Sequence, residues 1–123
     1  MTSEQYLFYL EFYRGLFWPN FVEYDGCVFL ACTEEYYRDW LRKFEGDKSQ
    51  VEAMMNHRHI LDELGPPIEN PTRDMVLTIG RLLKETWDAK LYRDFPDRKF
   101  IVSFPEDDGE LDEYEITFWQ ERD

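Results

Sequence analysis

The fourteen residues VEAMMNHRHILDEL, numbers 51–64, hold both histidines of the chain and decide how its middle is read. Ser49 followed three residues later by Glu52 has the form of a capping box, and Gly65-Pro66-Pro67 supplies a stop. Between these marks the spacing predicts a helix. On a 3.6-residue period Met54, His57, Leu61 and Leu64 share one face, which puts His57 in an apolar seam. His59 then points elsewhere, beside Met55, Glu52 and Glu63. Two helical residues two apart lie roughly 200° apart around the axis, too far round to hold one ion.

Working outward toward the N-terminus, Thr33 caps a preceding helix with Glu34 and Glu35 in its first turn and Arg42 and Lys43 in its last. Both charges suit the helix dipole. Tyr37, Trp40, Leu41 and Phe44 form its buried stripe, and Gly46 closes it. Before it, FVEYDGCVFLAC carries Asp25-Gly26 between two β-prone runs, a two-residue hairpin signal that pairs Tyr24 with Cys27 and Val22 with Phe29. A first helix starts at Thr2 or Ser3 and is stopped by Pro19. Seven of residues 6–18 are aromatic: Tyr6, Phe8, Tyr9, Phe12, Tyr13, Phe17 and Trp18. A helix apolar on nearly every side is either central to the fold or docked on something else. The expectation is a core helix, with an aromatic partner-binding face as the alternative.

Toward the C-terminus, Asn70-Pro71 opens a further helix, with Pro at its first position. Met75, Val76, Ile79, Leu82, Leu83, Thr86 and Trp87 keep its three-four spacing, and it ends between Asp88 and Arg93. A second hairpin follows. Phe100, Val102 and Phe104 alternate along one strand and Tyr114, Ile116 and Phe118 along the other, with Asp107-Asp108-Gly109 as the turn. The order α-ββ-ααα-ββ predicts a single α+β domain over residues 1–123. About four helices pack on a small antiparallel sheet built from two β-hairpins.

Aromatic content of 18% separates this acidic chain from disordered acidic tails, so the net charge of −13 belongs to a folded surface. Such a charge repels phosphate backbones and anionic membranes alike, which excludes nucleic acid and membrane as ordinary partners. No basic n-region or cleavage site marks a signal peptide, and Glu4 and Glu11 interrupt the apolar start. The expectation is a soluble cytoplasmic protein, its two cysteines Cys27 and Cys32 reduced and facing opposite sides.

No phosphate loop, nucleophile elbow, HExxH or dinucleotide fingerprint is present, so neither a cofactor nor a catalytic set is read. The cysteine and histidine spacings do not match paired zinc ligands, and no metal is assigned. The largest bias is acidic: residues 105–123 carry nine acids against Arg122, a net −8. Such a run is either a solvated hairpin tip, charged to prevent edge pairing, or a docking surface for a basic protein partner, with Glu106, Asp107, Asp108, Glu110, Glu113 and Glu115 as its charges and Tyr114 and Trp119 as aromatic anchors. The leading expectation is therefore a non-enzymatic acidic interaction domain, in its most concrete form an inhibitor or immunity-type protein that covers a basic site. A small enzyme or ligand-binding domain would instead build a pocket from His57, His59, Tyr9 and Tyr13. A third possibility is a homo-oligomer joined through the aromatic first helix.

Overall fold

The computed structural model describes residues 1–64, 68–107 and 109–123. Helix α1 (Ser3–Phe17) begins with a complete capping box, in which Thr2 and Gln5 each accept from the other's backbone N–H. Strands β1 (Val22–Tyr24) and β2 (Cys27–Phe29) form the expected hairpin, with Tyr24 opposite Cys27 and Val22 opposite Phe29. Asp25 and Gly26 both take the positive φ that its two-residue turn demands. The Thr33 hydroxyl caps α2 (Glu34–Lys43) by accepting from the Tyr36 N–H. Tyr37 of α2 is buried with Cys27, Phe29 and Val51, and Trp40, Leu41 and Phe44 pack around this small cluster.

Helix α3 (Lys48–Asn56) is capped by Asp47 and ends at Asn56, well before Leu64. The reason is local. The His57 ring bonds the Met54 carbonyl and the Arg58 guanidinium bonds the Met55 carbonyl, so side chains satisfy the last helical acceptors. The chain then runs extended as β3 (Arg58–His59) and turns through a short 3₁₀ segment (Ile60–Glu63). The expected stop, Gly65-Pro66-Pro67, lies outside the described residues. Helix α4 (Arg73–Asp94) starts from a Thr72 cap, with Pro71 just before that cap and not at the first helical position. It buries Val76, Gly80, Leu83, Trp87, Lys90 and Leu91. Gly80 leaves room for the Phe104 ring, which a Cβ would approach to 2.0 Å. Leu82, expected in the stripe, is 46% exposed.

Strands β4 (Phe100–Ser103) and β5 (Glu115–Gln120) pair from Phe100–Gln120 to Ser103–Thr117. On the other side of β5, Arg58 faces Ile116 and His59 faces Glu115. The described residues form an α+β fold with four α-helices, as the sequence predicts. Its two hairpins, however, lie in separate antiparallel sheets, β1-β2 and β3-β5-β4. The main core sits between α4 and the larger sheet, around Trp87, Ile116 and Phe118.

Polar side chains of α3 join the two sheets. Glu52, with no exposed surface, accepts from the Val28 N–H at 2.9 Å, the Gln120 N–H at 3.0 Å and the Gln120 carboxamide at 2.7 Å. Arg122 donates to it as well and supplies the countercharge. Burial works against the Arg122 charge, but the hydrogen bond and charge of Glu52 outweigh it and hold the guanidinium above its ordinary pKa. One turn later Asn56, also without exposed surface, accepts from the Leu30 N–H and donates to the carbonyls of Val28 and Phe118. Strand groups that no neighbouring strand reaches thus find partners on one helix face, as buried backbone must.

Candidate functional site

Helix α1 is the most unusual surface of the molecule. None of its described residues is buried, although it is the most aromatic segment of the chain. Phe8 is 66% exposed, Tyr6 60%, Leu7 57% and Leu10 52%. Its C-terminal turn alone is fastened: Leu16 and Phe17 pack on the core, and the Trp87 indole N–H donates to the Leu16 carbonyl at 2.9 Å. The core helix expected from the sequence is therefore not formed. Trp87, Phe29 and Phe118 already fill the interior, and a body of this size has nothing left to wrap around a further helix. Along the helix Tyr6, Leu10 and Tyr13 share a face at i, i+4 and i+7, while Phe8 and Phe12 form a second row. Edge contacts between Phe8 and Tyr9 and between Phe12 and Tyr13 order these rings.

The acidic segment behaves differently from expectation at its anchors. Tyr114 is 4% exposed, its ring in the main core and its hydroxyl accepting from the Arg73 guanidinium at 2.9 Å. It cannot anchor a partner, because, extended just ahead of β5, it continues the inward alternation of Ile116 and Phe118. Trp119, on the other face, is half-buried opposite Ile101. Glu106 is tied to Arg81, and that hydrogen bond holds its carboxyl below the usual carboxylate range. Asp107, Glu110, Glu113 and Glu115 line an open recess of about 190 Å³. Asp108, and with it the centre of the expected turn, lies outside the described residues. The described acids remain at the surface as a charged rim, with Tyr114 withdrawn into the core and Trp119 half-buried.

The histidines are also placed differently. His57 and His59 are both half-buried and lie on extended chain, not on a helix, so the apolar helical seam expected for His57 is not formed. Glu52, expected beside His59, points into the centre of the fold. In a strand, residues two apart share a face, and the two rings stand 5.7 Å apart. Glu115 joins them: ligand-capable atoms of His57, His59 and Glu115 lie within 4.8 Å of one another. The expected pocket with Tyr9 and Tyr13 is not assembled. The recess beside His57, about 360 Å³, is walled by Phe44, Ala53, Met54 and Thr117, and neither tyrosine lines it.

Both cysteines are free thiols. Cys27 is buried, and burial followed by the Glu52 charge pushes its pKa up; burial does the same to Cys32. A raised thiol pKa is the opposite of what a nucleophile requires. Among the described residues no helix is long and apolar enough to cross a membrane. No family model matches the chain, and no match emerges among curated proteins or solved structures.

Proposed function

We propose that the chain is a protein-interaction domain that lays helix α1 into an apolar groove of a partner whose rim is basic. One observation carries this reading: a fifteen-residue aromatic helix, none of whose described residues is buried. Continuous apolar surface of this kind marks interaction sites on folded proteins, and an amphipathic helix docked in a groove is a common recognition mode, read through anchors at i, i+4 and i+7. Tyr and Phe side chains supply the large contact area on which such interfaces depend.

Charge selects the kind of partner. Of the net −13, only −1 falls in residues 1–21, where Glu4 and Glu11 stand against Arg14. A second copy would bring an equal negative body beside the first, whereas a basic rim would be drawn to it. The acidic hairpin then acts in steering and the helix in holding. In its most concrete form the domain is an inhibitor or immunity-type protein that covers a basic site.

The test uses the full chain and a variant with Tyr6→Gln, Phe8→Gln and Leu10→Gln as baits in native lysate. A basic protein recovered by the wild type is then purified and its binding measured alone. The expected result is at least roughly tenfold weaker binding by the variant, which changes the off-rate, and a wild-type on-rate that falls as salt rises. Light scattering gives the decisive counter-result. A wild-type dimer that the same variant dissociates would mean that a second copy covers α1, and the heterologous partner would be abandoned.

A further inference from the structure

We infer that His57, His59 and Glu115 form a binding site for a divalent transition-metal ion of the zinc class, open to solvent in its remaining position. The site exists because α3 ends at Asn56. Once the chain turns extended, His57 and His59 fall on the same side, and pairing of β3 with β5 sets Glu115 directly across from His59.

The hydrogen bonds fix which ring nitrogens keep a lone pair for an ion. His57 Nδ1 stands 2.6 Å from the Met54 carbonyl oxygen, and His59 Nδ1 stands 2.8 Å from that of Asp112. A carbonyl can only accept, so both Nδ1 atoms carry the proton, and in the neutral rings both Nε2 atoms present lone pairs. Metal-bound histidines are oriented in this same way, by donating the second N–H to a carbonyl. His59 Nε2 meets Glu115 Oε2 at 3.7 Å, beyond hydrogen-bond length. Two electron-rich atoms held this close favour a positive charge between them. Bonds of 2.0–2.1 Å in a tetrahedral site put ligand atoms roughly 3.3 Å apart, so small side-chain rotations close the set.

Two imidazoles with one carboxylate select zinc, cobalt(II), nickel(II) or copper(II) over calcium and magnesium, which prefer all-oxygen shells. The recess beside His57 and Glu115 leaves space for a water or an incoming ligand atom. On the other side Asp107, Glu110 and Glu113 share with Glu115 the walls of the acidic recess, adding negative potential. The site is separate from α1, and its failure would leave the docking reading untouched.

The experiment is calorimetric titration of the metal-free full chain with ZnCl2, with CoCl2 absorption as a second probe. Saturable uptake of one Zn2+ per chain is expected, weakened roughly tenfold or more by each of His57→Ala, His59→Ala and Glu115→Gln. Glu115→Gln keeps the side-chain shape and both histidine tautomers, so its loss of affinity cannot be a folding effect; circular dichroism should be unchanged. The cobalt complex should show d–d bands without thiolate charge transfer. Absence of saturable uptake up to millimolar ZnCl2 overturns the site, leaving His59 and Glu115 as an ordinary ion pair. Full affinity in the triple variant, or a cobalt–thiolate band, overturns it equally by placing the ion elsewhere.

Discussion

Helices α1 and α3 invert the usual distribution of residue types. The first holds Tyr6, Leu7, Phe8 and Leu10 in solvent, while the second holds Glu52 and Asn56 at the centre of the fold with no exposed surface. The contrast separates two demands that hydrophobicity alone merges. Backbone groups of β2 and β5 must be paired wherever water is excluded, and α3 supplies those partners through side chains. Apolar side chains need cover only when the fold has cover to give. Here the interior is filled by α4 and the sheets, and most of α1 is left outside.

The sharpest way to break this comparison is at Glu52. Glu52→Ala leaves the N–H groups of Val28 and Gln120 without their acceptor and Arg122 without its countercharge. Urea denaturation should show a loss of about 3 kcal/mol, the lower part of the range for breaking a buried pair, since Arg122 retains some contact with water. An unchanged midpoint would mean that water replaces the carboxylate and that the two sheets hold without it.

Asn56→Ala should follow with a loss of about 2 kcal/mol, because the Leu30 N–H and the carbonyls of Val28 and Phe118 lose their partner. Asn56→Asp sharpens the point. It keeps the acceptor for Leu30 but faces two carbonyls without a donor, and it should cost more than Asn56→Ala. The reverse order in the same urea series would show that the donor side of Asn56 contributes little.

Much of this architecture is legible in sequence where the signal is local. Asp25-Gly26 fixes the first hairpin and its register, because the turn itself requires two residues at positive φ. Thr2 and Thr33 mark helix starts through caps made within three residues, and alternation along residues 114–118 gives the inward face of β5. What fails is tertiary. Glu52 looks like a member of a solvated helix face, yet its partners Gln120 and Arg122 lie about seventy residues away. The end of α3 carries no Gly or Pro; it is made by His57 and Arg58 side chains turning back onto carbonyls. Misreading that end also hides the relation of His57 to His59, since a spacing of two opposes them on a helix and aligns them on a strand. Tyr114 shows the cost of reading composition over pattern. Its place among acids suggests an anchor, but its alternation with Ile116 and Phe118 already puts it in the core.

The smallest expected effect tests the central claim most directly. Tyr6→Gln, Phe8→Gln and Leu10→Gln together replace three large apolar side chains while keeping good helix formers on α1. If these residues serve recognition and not folding, urea denaturation of the isolated full chain should give a stability within about 1 kcal/mol of wild type, as for surface substitutions elsewhere. A loss above about 3 kcal/mol, the scale of emptying a core site, would show that the fold itself uses α1 and would contradict its assignment as a docking helix.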